Sequence, residues 1–187
     1  MALCFNPLEP MNLTAGNDDG NCYSFDLRRM DRARLIHKGH IGAVTDLDFA
    51  SSGRQFATSS FDRTVRLFSF DSGTSREVYH AKRMQVVSAV QFTVDSHYLL
   101  SGSEDMNLRM WKAVAWRPTG KVSVREERAG EYRDKLIEKY KDSNKIRRIN
   151  HHRHLPKYII NANQRKLEKG AKRLRKKQNR EANTGLV

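Results

Sequence analysis

From the start of the chain to Trp116-Arg117-Pro118, polar and apolar residues alternate in short runs separated by turn-forming residues. "AVTDLDFA" (43–50) alternates, "QFATSS" (55–60) is rich in strand formers, "FDRT" turns, "TVRLFSF" (64–70) alternates again and "DSGT" turns once more. Each run predicts a short β-strand. After Pro118 the spacing changes. "SVRE" (Ser123–Glu126) is a capping box, with serine at the N-cap and glutamate three residues on. Ala129, Tyr132, Leu136 and Tyr140 then recur at helical spacing, and Glu131 with Lys135 supplies an i,i+4 pair. That helix is expected to end near 141–144, "KDSN", and to pack its narrow stripe against the strands or a partner. A second helix is predicted from Lys157 to about Ala182, on a sparse stripe of Ile160, Leu167, Ala171 and Leu174, with Gly170 weakening its continuity.

The strand region repeats. "AGNDDGNCYSFD" (15–26), "TSSFDRTVRLFSF" (58–70) and "SGSEDMNLRMWK" (101–112) align without gaps. Asp19, Asp62 and Asp105 lie 43 residues apart, as do Phe25, Phe68 and Trp111, and Phe49 and Phe92 share the offset. Four short strands in such a period resemble the WD40 repeat of a β-propeller, and Gly39-His40 supplies that family's Gly-His dipeptide. The resemblance implies a hydrogen-bond network of His40, Ser60 and Asp62 in the middle unit, with Phe68 in the tryptophan position and so no indole N–H. In the third unit Ser103, Asp105 and Trp111 fit the pattern, while Lys82-Arg83 replaces Gly-His; the first unit has Asn17 at the serine position. Serine, histidine and aspartate could form a nucleophilic triad. Here the same types recur with the period, as scaffold residues do, so no catalytic residue is assigned and no enzyme or cofactor is expected. Three units are too few to close a propeller, which takes about four to eight. "MALCFNP" falls where a unit's first strand should be, so the chain is read as opening in mid-unit, the carboxy-terminal portion of a longer propeller protein.

Charge divides the chain at the same place. The net +14 resolves into 14 basic and 13 acidic residues over 1–120, and 21 against 8 over 121–187. Lys145 to Arg180 carries 14 bases and a single acid, Glu168. The expectation is a near-neutral domain at 1–117, incomplete all-β WD40 blades, followed by a basic α-helical extension at 118–187 that meets a polyanion. Cys4 and Cys22 lack metal-type spacing and suit a reducing compartment, and no apolar run approaches a membrane span. An intracellular, soluble protein is expected. A membrane-surface anchor is disfavoured because Ile159, Ile160, Leu167 and Leu174 are the only bulky apolar residues opposite the charge.

His151, His152 and His154 stand among Arg147, Arg148, Arg153 and Lys157. Without a nearby cysteine or fourth ligand they do not make a metal site. They read as part of an RNA-contacting surface of Lys145, Arg147, Arg148, His152, Arg153, His154, Lys157, Arg165, Lys166, Lys172, Arg173, Arg175, Lys176 and Lys177. "HRHLPK" (152–157), following the "RDKLIEKYK" helix and a unit ending "NLRMWK", is similar to the signature of the Sof family, WD-repeat proteins of the small-subunit processome. His151 stands where that signature has arginine. The resemblance implies a nucleolar and nuclear protein, partnered by processome proteins, pre-ribosomal RNA and the U-three small nucleolar ribonucleoprotein, acting in maturation of 18S ribosomal RNA. "KRLRKK" (172–177) doubles as a nuclear-localisation candidate. A second reading comes from Phe25-Asp26-Leu27-Arg28, which resembles the Trp-Asp-x-Arg motif of cullin-4 ubiquitin-ligase substrate receptors apart from phenylalanine in the first place. Phe25, Asp26 and Arg28 would then contact the ligase adaptor.

Overall fold

The computed structural model describes residues 2–115, 118, 120–150 and 155–184. Strands β1 (Ala2–Phe5), β2 (Asn12–Gly16), β3 (Asn21–Asp26) and β4 (Leu35–Lys38) form one antiparallel sheet in that order. Strands β5 (Val44–Phe49), β6 (Gln55–Ser60), β7 (Val65–Ser69) and β8 (Ser75–Tyr79) form a second. A third has β9 (Val87–Phe92), β10 (Tyr98–Ser103) and β11 (Asn107–Lys112), three strands among the described residues. Then come α1 (Val124–Lys139), α2 (Asn144–Asn150) and α3 (Lys157–Asn183).

The 43-residue period is written into the backbone. Strands β2, β6 and β10 begin at Asn12, Gln55 and Tyr98. The left-handed turn between the second and third strand of each sheet falls on Gly20 (φ 79°), Arg63 (φ 59°) and Met106 (φ 61°), again 43 apart. Gly53 (φ 62°) and Ser96 (φ 55°) repeat the same relation in the preceding turn. Only the first turn carries glycine at the strained place, so Arg63 and Met106 each accept an unfavourable φ that the repeat imposes.

Two apolar layers hold the sheets side by side. Cys22, Val44, Leu47, Phe49, Phe56, Phe68 and Phe70 lie between the first and second, with Ala2 and Cys4 against them. Ala57, Val65, Leu67, Val87, Val90 and Leu99 lie between the second and third. The middle sheet is therefore covered on both faces, and β6 and β7 are buried almost throughout, whereas β10 alternates. The inner edge of β9 is tied across by side chains: the Val90 and Phe92 N–H groups donate to Asp46 and Asp48 carboxylates at 2.9 and 2.7 Å. Those bonds satisfy strand-edge donors that neighbouring sheets cannot reach directly.

The opening residues supply a strand at the first-strand place the period assigns them: Ala2–Phe5 pairs with Asn12–Gly16. Leu3 and Phe5 take the pairing positions that Leu47 and Phe49 hold on β5 and face outward, while small Ala2 and Cys4 pack towards the second sheet. In the helical region the capping box forms as predicted, with the Ser123 side chain accepting from the Glu126 N–H and Glu126 from the Ser123 N–H. Helix α1 buries none of its residues, so its stripe does not pack against the strands, the first of the two expected partners; Tyr132 and Tyr140 are exposed. Helix α2 was not anticipated, and α3 runs unbroken through Gly170.

Met106 is 98% exposed and held at φ 61°, so Met106→Gly relieves backbone strain without opening a cavity. Urea denaturation should show a gain of about 0.5–1 kcal/mol; a loss would mean the turn carries no strain.

Candidate nucleic-acid interface

The extension is anchored by its last helix to the middle sheet. His40, in the link from β4 to β5, and Asp62, in the turn after β6, are both buried. His40 Nδ1 donates to Asp62 Oδ2 at 2.9 Å, and Nε2 accepts from the Thr58 hydroxyl at 2.7 Å. Asp62 also accepts from the Thr64 hydroxyl at 2.6 Å and from the N–H groups of Thr64 and Ile41. Burial raises the carboxyl, but His40, Thr64 and Arg66 outweigh it and hold Asp62 at about 2. Burial pushes the His40 imidazole below its ordinary value, against the pull of Asp62, and the bond pattern is that of the neutral ring. The hydroxyl beside His40 is thus Thr58, two residues before the expected Ser60. Ser60 instead braces the turn, accepting from the Asp62 N–H at 3.1 Å.

The third unit obeys the same offset. Trp111 Nε1 donates to Ser101, the counterpart of Thr58, at 2.8 Å, while Ser103 accepts from the Gln85 N–H. Asp105, lacking a histidine opposite, pairs with Arg109, whose hydrogen bonds lower its carboxyl. Phe68 stacks on Phe56 at 5.3 Å between ring centres, so the indole's place is filled by apolar contact. A network unforeseen in the sequence joins Thr14, Ser24 and His37, all fully buried, and ends on the Ser72 carbonyl. Arg66, buried beneath Gly39, donates to Ser75 at 3.2 Å, and a Cβ on Gly39 would meet its guanidinium at 2.8 Å.

Helix α3 seats on the backbone of this buried pair. Tyr158 donates to the Asp62 carbonyl, Lys166 Nζ donates to the His40 carbonyl at 3.4 Å, and Arg63 lies 6.0 Å over the Tyr158 ring. Ile159 is fully buried, the sole fully buried residue of α3, worth about 1.5–3 kcal/mol. Beyond Asn163 the helix is exposed. At 27 residues it is about 40 Å long. With about 100° of rotation per residue, Arg165, Lys166, Lys169, Lys172, Arg173, Lys176, Lys177 and Arg180 share an arc of roughly 140°. Ile160, Leu167, Ala171 and Leu174 lie on the other side, and Leu167 and Leu174 are exposed. The docked turn is on the basic side, so the stripe read from the sequence is not what holds the helix.

Of the other expected contacts, Lys145, Arg147 and Arg148 are exposed on α2, Lys157 is exposed at the start of α3, and Arg175 is exposed further along it. His152, Arg153 and His154 lie outside the described residues. At the opposite end of the first sheet, Phe25 is half-buried, the Asp26 carboxylate accepts from the Arg28 N–H at 2.9 Å, and Arg28 is exposed. Among the described residues no helix is long and apolar enough to cross a membrane.

Burial lowers His37 and His40, so each binds its proton more weakly in the folded chain than in the unfolded one. The stability they confer is complete above an ordinary histidine pKa of about 6.5 and is lost as pH falls below it. Asp62 behaves alike lower down, losing its contribution as pH drops from about 4 towards 2. Urea midpoints should therefore decline from pH 7.5 to 5 and decline less in His37→Gln; a flat profile would contradict the neutral, buried assignment. Separately, Ile159→Ala should weaken docking by about 2–4 kcal/mol and raise hydrogen exchange across 157–163, leaving β6 and β7 protected.

Comparison with known proteins agrees with this architecture. Residues 113–185 match the Sof1-like domain, and residues 33–69 and 73–112 each match a WD domain, G-beta repeat. The DDB1- and CUL4-associated factor 13 of Danio rerio is 44% identical over 177 residues, 95% of this chain and 40% of the relative. Protein SOF1 of Saccharomyces cerevisiae is 40% identical over 161 residues, 86% of this chain and 33% of the relative. The human DDB1- and CUL4-associated factor 13 is 44% identical over 151 residues, 81% of this chain and 34% of its own length. The chain thus spans between a third and two fifths of these relatives. Repeats running directly into the helical extension, matched together across most of the chain, place it in the family of WD-repeat proteins that carry a Sof1-like domain.

Proposed function

We propose that this chain belongs to a non-enzymatic ribosome-biogenesis factor of the small-subunit processome, acting in 18S pre-ribosomal RNA processing in the nucleolus. The observation that carries the RNA contact is α3, a 27-residue helix fastened at one end, with eight bases on one arc and no acid among them. A tethered basic helix can lie along a phosphate backbone, releasing condensed counterions with each contact. Charge and shape, more than a base code, would set its preference. The sheets supply surface for protein partners in the same assembly. Retention of the docked turn explains why the helix is more than a mobile tail, because Tyr158, Ile159 and Lys166 fix where the RNA would approach.

A second reading is supported by the name of several relatives, which are associated with DDB1 and CUL4. In this chain the adaptor contact would be Phe25, Asp26 and Arg28, at the end of the first sheet away from α3. The α3 contact and the adaptor contact use different surfaces and are separable. Arg28→Ala would remove adaptor binding and leave α3 untouched.

The deciding experiment is ultraviolet cross-linking in cells with sequencing of attached RNA, comparing the chain with a variant carrying glutamine at the five bases of 172–177 and retargeted to the nucleus. Reads on pre-ribosomal and small nucleolar RNA should fall by at least about tenfold in the variant. Equal reads from both proteins, or no specific RNA at all, would remove α3 as the contact.

A further inference from the structure

We propose that the loop between β3 and β4 forms a second phosphate site for single-stranded RNA, built from Arg28, Arg29 and Arg32. The loop lines a cleft of 610 Å³ with Arg28, Arg29, Arg32 and Arg34, four arginines and no lysine within seven positions. It is a shaped loop. The Leu27 N–H bonds the Met11 carbonyl at 2.8 Å, Arg29 N–H the Asp26 carbonyl at 2.9 Å, and Arg34 N–H the Ser24 carbonyl at 2.7 Å. Arg34 is engaged by Glu9 and Asp71, at 3.9 and 3.7 Å. Among the described residues, Arg28, Arg29 and Arg32 have no carboxylate partner, and all three are exposed. Asp26, which lines the cleft, already accepts from the Arg28 N–H, and Asp31 is the one acid within the loop itself. Three free guanidinium forks gathered at one end of a body carrying 14 bases and 13 acids are an anion site.

The case for a polynucleotide lies in what the loop leads to. Strands alternate in direction, so the β1–β2 and β3–β4 loops share one end of the sheets, and the turns bearing His40 and Asp62 share the other. Strand β4 runs from Arg34 past exposed Lys38 to Gly39-His40, where Lys166 of α3 is seated, and it holds no acidic residue. Its four residues cover roughly 13 Å. The track between the cleft and the anchored helix is a single exposed base, Lys38, on an edge flanked by the 71–74 segment that carries Asp71. A compact acidic peptide could fill the cleft, but it would have no use for Lys38 or for continuity with α3. This inference rests on α3 contacting RNA only for the joined track; the cleft itself binds or fails independently.

The test is fluorescence anisotropy of the intact chain with a 20-nucleotide single-stranded RNA across a salt series. Four proteins are compared: the chain itself, Arg28→Ala/Arg29→Ala/Arg32→Ala, the five-glutamine α3 variant, and both sets combined. Three phosphate contacts on a single strand correspond to a slope of about −2 in log affinity against log salt. The triple variant should show a slope shallower by about that amount, with or without the α3 changes. Replacing the three arginines by lysine, which keeps charge and removes the fork, should preserve the slope while weakening affinity several-fold. An unchanged slope and affinity in the triple variant would overturn the site. So would loss of all RNA binding in the α3 variant alone, or capture of a glutamate-rich peptide by the cleft with RNA binding intact. An α3 variant that binds like the unaltered chain would instead overturn the helix reading and leave the cleft standing.

Discussion

The buried pairing of His40 with Asp62 sets the geometry on which everything else is built. It joins the link between the first two sheets to the turn of the second, so it determines how those sheets sit and how the turn is closed. Four donors converge on the Asp62 carboxylate, which is why an anion survives burial there. Because side chains satisfy the pair, the main-chain carbonyls of the same two residues remain free to accept. Helix α3 uses both of them, through Tyr158 and Lys166. Fold and functional appendage therefore meet at one pair of residues.

This arrangement makes the middle sheet the keystone and the outer sheets dependents. Phe56 and Phe68 face the first sheet while Ala57, Val65 and Leu67 face the third, so β6 and β7 have no solvent side. The edge of β9 is held through Asp46 and Asp48, and burial, opposed by its hydrogen bonds, raises Asp48. Edge strands left open would be liabilities for association. Outward apolar residues on the terminal sheets, Leu3 and Phe5 on one and Leu108 and Met110 on the other, stand where an adjoining sheet would pack.

Much of this was legible in the sequence because a repeat converts one observation into three. The 43-residue offset located the strands, the aspartate turns and the aromatic row. The capping box at Ser123 located α1 through a local bond that depends on two side chains alone. What escaped were features decided by neighbours. Thr58 and Ser60 lie two apart on one strand, and Thr58 meets the imidazole while Ser60 braces the turn. The stripe of Ile160, Leu167 and Leu174 satisfied helical periodicity, yet the helix is held by Ile159 on another face. Periodicity identifies a helix; it does not say which face finds a partner.

The distribution of charge then has a structural rather than a compositional meaning. The near balance of the first 120 residues conceals a separation, with carboxylates drawn into turns and pairs and the Arg28–Arg34 loop left with unanswered guanidiniums. Arg66 shows the opposite solution, a guanidinium taken inside, its pKa lowered by burial and supported by Asp62. Exposed arginines at a loop cost nothing to keep hydrated, and they have no fold to hold beyond their own turn. Their concentration at one place is thus unexplained by stability and is accounted for by an anionic partner, at the sheet end that α3 leaves uncovered.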